Sequence, residues 1–243
     1  MVISSKSNPT IKEIAKLHDK KYRKEYGLYL VEGVKPVNEC IAAGCAVMKI
    51  VCTEELCGDY PDALTVTQSV FGSISSEKTP QGVLAVVKMP SVAVTPAQNS
   101  CILLDNVQDP GNLGTIIRTA NAAGYKDIYL INCTDPYSPK AVRASMSGIF
   151  FVSVHCGSKD EVLAALGGVK LICADMDGES IFGFNPPEKF CLCIGNEGNG
   201  ISDEIMNAAE YKISIPMDGT CESLNAAVSA GIAMYQLKYG KVR

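Results

Sequence analysis

The chain has 243 residues, no tryptophan and only two histidines, His18 and His155, so a histidine-based catalytic relay has little material to work with. It has no run of eighteen apolar residues and no charged-then-apolar leader with a cleavage site. Neither a membrane span nor secretion is therefore expected, and the cytoplasm is the default setting. There is no CxxC pair among the eleven cysteines, an odd number in a long chain, which points to free thiols. Cys40 with Cys45 and Cys52 with Cys57 repeat a spacing foreign to zinc sites, and no metal is expected. The sequence also lacks GK[ST], which excludes a P-loop. No GxGxxG follows the first strand with an acid about twenty residues on, so a dinucleotide fold is unsupported.

Excess positive charge is missing too: the net charge of −4 argues against general nucleic-acid affinity for the whole chain. Its distribution says more. The first forty residues hold eight Lys or Arg (Lys6, Lys12, Lys16, Lys20, Lys21, Arg23, Lys24, Lys35) against five acids (Glu13, Asp19, Glu25, Glu32, Glu39). A polyanion would meet this end first, although on charge alone a solvated helix face is the favoured reading.

Asn8 and Pro9 form a cap and first-turn pair for a helix burying Ile11, Ile14, Ala15 and Leu17, with lysines on its other face. Strands are expected at 28–31, 47–52, 64–67 and 83–87, with a helix over 34–43 closed by Gly44 and a helical turn at 70–74. This is a small α/β unit. The segment MPSVAVTPAQNS, rich in proline and small residues, marks a boundary. The division is residues 1–90, a linker over 91–100, and residues 101–243.

The second part opens with a buried strand, 101–104, ending in Asp105. Asp109, Pro110 and Gly111 make a tight turn, Asn112 can cap, and Ile116, Ile117, Ala120 and Ala123 mark a helix face that Gly124 ends. Arg118 on that helix reads, on its own, as a surface or ion-paired residue. Alternation continues with strands at 127–131, 151–154 and 169–174 and helices at 140–147 and 159–166. Cys191 and Cys193 in the strand CLCIG face one side as small hydrophobes. Asn196, Glu197, Gly198, Asn199 and Gly200 follow as a glycine-rich turn able to approach a ligand closely, before a helix starting near Ser202. Ile213 and Ile215 mark a short strand stopped by Pro216. Turn formers Met217 to Thr220 then lead to a helix over 223–239, whose small residues allow close backbone approach.

Three segments in this order, DNVQDPGNLGTIIRTA, GNEGNGIS and SIPM followed by SLNAAVSAGIAMYQL, resemble the signature motifs of the SpoU/TrmH group of SPOUT methyltransferases. These enzymes methylate the ribose of RNA with S-adenosylmethionine. RASMSG, residues 143–148, is an imperfect match to a further turn of the group. IKEIAKLHDKKYRKEYGLYLVEG and TPQGVLAVV are similar, more loosely, to the group's substrate-binding domain, a fold akin to small ribosomal RNA-binding proteins.

The resemblance implies an α/β architecture: a carboxy-terminal SPOUT domain with a mostly parallel sheet and a deep trefoil knot, plus a small amino-terminal α/β RNA-binding domain. It implies a homodimer packed through the 223–239 helix, so that Ala230→Glu should weaken it. Arg118, Asn112, Glu197, Ser223 and Asn225 take the catalytic positions. Gly195, Asn196, Gly198, Ile215, Met217 and Leu224 take the cofactor positions, and Lys20, Lys21, Arg23 and Lys24 take RNA contacts. A guanidinium is a poor base at neutral pH, so Arg118 suits phosphate positioning and alkoxide stabilisation, with Glu197 as the alternative base. The expected partner is RNA, ribosomal ahead of transfer RNA, with neither DNA nor membrane. Two rival readings are a catalytically silent RNA-binding scaffold of the same fold and a doubly wound nucleotide-binding enzyme.

Overall fold

A computed structural model describes residues 2–90, 93–196, 198–218 and 223–240 of the chain. The amino-terminal part contains α1 (Pro9–Lys16), α2 (Lys20–Tyr26), β1 (Leu28–Glu32), α3 (Val34–Ala42), β2 (Val47–Thr53), β3 (Leu64–Val66), α4 (Gln68–Phe71) and β4 (Val83–Lys88). Asn8 caps α1 by accepting the Thr10 and Ile11 N–H groups, and the helix turns Ile11 and Ile14 inward. The basic segment that follows forms a second, separate helix. The chain leaves the helix at Leu17, Asp19 accepts the Lys21 N–H at 2.8 Å to start α2, and Gly27 ends α2 at φ 63°. The sheet order is β1-β4-β2-β3, antiparallel except for the β2–β3 pair.

The carboxy-terminal part contains β5 (Cys101–Asp105), α5 (Pro110–Ala122), β6 (Asp127–Ile131), α6 (Pro139–Ala144), β7 (Ser153–Gly157), α7 (Lys159–Ala165), β8 (Lys170–Ser180), β9 (Phe190–Ile194), α8 (Asp203–Ala208), β10 (Tyr211–Ser214) and α9 (Ala226–Tyr239). Its six strands pair entirely in parallel in the order β10-β8-β9-β5-β6-β7. Strands β5 and β9 are buried along their whole length, as sheet centres covered on both faces require. Cys191 and Cys193 share one core cluster with Cys101 and Cys173, packed as small hydrophobes. Among the described residues no helix is long and apolar enough to cross a membrane.

The direction of winding reverses at the centre. From β5 the chain moves outward through β6 and β7, then crosses to fill β8, β9 and β10 on the other side. Such a switch point leaves a crevice beyond the carboxyl ends of the adjoining strands β5 and β9.

Several boundaries differ from expectation, among them the helical turn expected at 70–74, which forms at Gln68–Phe71. Helix α6 ends at Ala144 rather than 147, because Met146 and Ser147 take left-handed backbone (φ 45° and 67°) and lead into a 3-10 turn at Gly148–Phe150, displacing the next strand to Ser153–Gly157. Strand β8 runs on to Ser180, and β10 pairs along it across a register shift. Helix α9 starts at Ala226, with Asn225 as its cap, so Ser223 and Leu224 lie in the preceding loop.

Between the sheets, residues 93–100 form neither helix nor strand and are fastened to the second sheet. The Ala93 carbonyl lies 3.2 Å from His155 Nδ1, the Thr95 carbonyl accepts the Tyr129 hydroxyl at 2.8 Å, and the Ala97 N–H donates to the Ala165 carbonyl at 3.0 Å. His155 stacks on Tyr129 with centroids 4.6 Å apart and meets Asp127 through Nε2 at 3.0 Å.

Arg23, expected to contact RNA, joins the two parts instead. Its side chain is 3% exposed; Nε and Nη2 donate to Asp135 Oδ2 at 3.0 and 2.7 Å, and Nη1 donates to the Leu17 and His18 carbonyls, each at 2.8 Å. Removing one partner of a buried pair leaves the other charge stranded. Arg23→Ala is therefore expected to destabilise the chain by about 3–5 kcal/mol. Urea unfolding with Asp135→Ala and the double variant checks it: the double loss should be smaller than the sum of the singles, and an unchanged Arg23→Ala midpoint would rule out a stabilising tie.

Candidate active site at the carboxyl ends of the parallel strands

Beyond β5 the chain enters the loop that positions α5. Asn106 takes left-handed backbone (φ 59°), which asparagine tolerates better than most residues, and its Oδ1 accepts hydrogen bonds from Gln108 Nε2 and Asn132 Nδ2, both at 2.9 Å. Asp109 caps α5 by accepting the Asn112 N–H at 2.8 Å and pairs with Lys140 at 2.8 Å. The Lys140 hydrogen bond, then the Asn112 N–H, hold the Asp109 carboxyl below its usual range.

Asn112, the third residue of α5, accepts from Asn225 Nδ2 at 3.0 Å. Asn225 Oδ1 in turn accepts the Ala227 and Val228 N–H groups at 3.0 and 3.3 Å, capping α9. One asparagine pair thus couples two helix starts. Asn225→Ala removes both the cap and this tie, with an expected cost of about 1 kcal/mol for the cap alone. A chemical-denaturation midpoint no lower than wild type would refute the capping role.

The turn after β9 is held from within. Asn196 Oδ1 accepts the Gly198 and Asn199 N–H groups at 2.8 and 3.2 Å, its Nδ2 donates to the Asn106 carbonyl at 3.1 Å, and its backbone exchanges two hydrogen bonds with Gly200. Gly195 sits so close beneath that a Cβ there would lie 2.2 Å from the Gly200 carbonyl carbon. This tight turn, the second half of β8, Ile213, and Ile215, Met217, Ser223, Leu224 and Ala226 enclose a cavity of about 460 Å³ beyond the carboxyl end of β9.

The cavity lining includes all six residues assigned to the cofactor: Gly195, Asn196, Gly198, Ile215, Met217 and Leu224. Ser223 also lines it, whereas Asn112 and Asn225 pair just beyond its Leu224 and Ala226 wall. Arg118 is apart, six residues along α5 from Asn112, or about 9 Å of helix rise. It is exposed, with its backbone backed by Gly148, where a Cβ would come within 3.0 Å of Arg118 Cα. Glu197, Gly219 and Thr220 lie outside the described residues. Lys20, Lys21 and Lys24 are exposed on α2, unlike the buried Arg23.

Ala174, Asp175, Met176 and Asp177 in the second half of β8, with Ile201 and Met206, also line the cavity and were not anticipated. Their signal was the acidic run DMDGES following the apolar LICA, which continues the strand to the same sheet edge as the glycine-rich turn. Ile194, Ile201, Ile215 and Leu224 offer apolar walls, while Asp175 and Asp177 bring carboxylate acceptors. Such a site suits a ligand with a flat apolar ring and several polar groups.

Residues 99–235 match the model of the SpoU rRNA Methylase family, and residues 8–85 that of the MRM3-like substrate binding domain. The chain belongs to the SpoU rRNA methylase family. Over 245 residues it is 32% identical to the 23S rRNA (guanosine(2553)-2'-O)-methyltransferase RlmP of Bacillus subtilis, with 97% of this chain and 98% of that one covered. It is 29% identical to the 23S rRNA (uridine(2479)-2'-O)-methyltransferase of Streptomyces viridochromogenes, covering 91% and 86%. Among solved structures it is similar to an AdoMet-bound rRNA methyltransferase from Sinorhizobium meliloti, with TM-score 0.90, 27% identity and coverage of 100% and 99%.

Proposed function

We propose that this protein methylates a ribose 2′-hydroxyl of ribosomal RNA, using S-adenosylmethionine. The observation that carries the reading is that two motif segments line one cavity and the third is joined to its rim by the Asn225–Asn112 hydrogen bond, in a chain whose relatives are named as 23S rRNA 2'-O-methyltransferases. Residues 1–90 serve as the substrate-binding part, 91–100 as the linker and 101–243 as the catalytic part.

The cavity fits S-adenosylmethionine in size and lining: about 460 Å³, apolar walls, a backbone face bare of side chains at Gly195, and carboxylates on β8. Gly195, Asn196 and Gly198 hold it through backbone groups, and Ile215, Met217 and Leu224 flank its adenine. When bound it supplies a methyl group on a sulfonium whose leaving group is a neutral thioether, so the protein need provide no acid.

The remaining tasks fall to orientation and to the proton on the ribose oxygen. Asn112, Ser223 and Asn225 orient the hydroxyl from the paired helix starts. Arg118 holds the neighbouring phosphate and stabilises the emerging alkoxide, since a guanidinium keeps its proton at neutral pH. Glu197 is the acceptor for the hydroxyl proton.

The carboxy-terminal part is read as a trefoil knot and the protein as a homodimer packed through α9. Val228, Tyr235 and Tyr239 on that helix are 50%, 46% and 60% exposed, which supports a partner surface. Ala230 is fully buried within its own chain, so Ala230→Glu would disrupt the core rather than report on the dimer. Val228→Glu is the appropriate change: it is expected to halve the mass measured by light scattering at low micromolar concentration, and an unchanged dimer mass would move the interface elsewhere. An RNA substrate, and ten cysteines left free among the described residues, support a cytoplasmic setting.

The test is transfer of labelled methyl from S-adenosylmethionine to unmodified ribosomal and transfer RNA. Label recovered from ribosomal RNA as an alkali-resistant dinucleotide is expected. Label in transfer RNA alone would reassign the substrate, and cofactor binding without transfer to either would favour the scaffold reading.

A further inference from the structure

The amino-terminal helices carry a second organised surface. On α2, Tyr22 and Tyr26 stand one turn apart, their ring centroids separated by 5.9 Å and their planes tilted by 34°. Lys16 Nζ and Lys21 Nζ lie 5.3 and 5.5 Å from the Tyr22 centroid. Tyr26, 40% exposed, also forms one wall of an adjoining groove of about 360 Å³. Leu28, the 60% exposed Met48 and the Lys49 side chain complete its sides, over Ile14 and Leu17.

Charge decides between occupants. The exposed cations around this surface are Lys12, Lys16, Lys21 and Lys49, two of them over the Tyr22 ring; the acids are Glu13, which borders the groove, Asp19 and Glu25. A protein segment seeking an apolar groove has no use for two ammonium groups held over an adjacent ring. A nucleic-acid strand uses both parts, placing a base on the rings and its phosphates on the ammonium groups. Duplex RNA keeps its bases stacked inside and cannot use the rings.

We propose that Tyr22, Tyr26 and the adjoining groove hold an unpaired nucleobase of the RNA substrate, with Lys16 and Lys21 on its flanking phosphates. The inference rests on the RNA methyltransferase reading and adds a selection rule to it: the substrate presents an unpaired nucleotide to the amino-terminal part as well as a ribose to the cavity.

Two measurements on the full chain test this. A 23S rRNA transcript carrying 4-thiouridine, irradiated with the protein, should form adducts on the peptide containing Tyr22 and Tyr26. Tyr22→Ala with Tyr26→Ala should raise KM for the transcript about tenfold, leaving kcat and KM for S-adenosylmethionine unchanged, whereas the corresponding Phe pair should behave as wild type. Adducts confined to other peptides, an unchanged transcript KM in the Ala pair, a Phe pair as impaired as the Ala pair, or no RNA binding at all would each overturn the proposal. Adducts at these tyrosines without methyl transfer by the wild-type protein would uphold the surface and reject the enzymatic reading instead.

Discussion

Replacing Arg118 by alanine is expected to lower kcat by about a hundredfold to a thousandfold, the loss seen when a donor to developing negative charge is removed. The fold should persist, because Arg118 is exposed and, among the described residues, no carboxylate is paired with it. Structural guanidiniums are normally paired, as Arg23 is with Asp135 and Arg143 with Glu77. Arg118 is nevertheless held in place, since Gly148 packs against its backbone in a turn that takes two left-handed residues to form. A fixed backbone beneath a cation with no carboxylate partner among the described residues fits a group kept for a ligand. Arg118→Lys should recover only part of the rate, because a point charge replaces a planar fork. The cofactor-induced rise in Tm should survive in both variants, since Arg118 does not line the cavity. A wild-type kcat in Arg118→Ala would place alkoxide stabilisation on another residue.

The contrast between Arg118 and Arg23 shows how far residues alone could lead. Both arginines were assigned to RNA chemistry, and both read from sequence as exposed helix positions. The exposed helix position of Arg118 was legible because the start, turn and apolar face of α5 are local properties of sixteen consecutive residues, 105–120. The burial of Arg23 was not, because the carboxylate that buries it lies 112 positions away in a loop that sequence periodicity does not locate. The same division holds elsewhere. The Asn8 cap and the alternation of strands and helices were legible, being set by near neighbours. The end of α6 was not, since a left-handed Met and Ser depart from their intrinsic preference and are held by packing of Gly148 on α5. Likewise β8 outran its apolar run because β10 supplies pairing partners for its polar end. The cavity's motif residues were found, and its β8 wall was missed for that reason.

Gly195→Ala is the second substitution with a large expected effect, because the contact it creates is with main chain alone. A Cβ at this position would stand 2.2 and 2.3 Å from the carbonyl carbon and oxygen of Gly200 and 2.5 Å from the Ile201 nitrogen, with no flexible side chain able to move aside. Relief requires opening the Asn196–Gly200 hydrogen-bond pair, and with it the Asn196 side-chain bonds that tie the turn to Asn106. The expected cost is about 3 kcal/mol or more, paired with loss of the cofactor-induced rise in Tm, because the displaced turn is a wall of the cavity. Gly200 is the informative control. It has φ 67° but no atom within 4 Å of an added Cβ, so Gly200→Asn meets only the modest strain of a left-handed residue and should retain cofactor binding. Thermal unfolding with and without S-adenosylmethionine separates the two. If Gly195→Ala kept a wild-type ligand shift, the 195–200 turn would not be the cofactor wall, and the apolar residues of the 213–224 segment would have to hold the ligand without it.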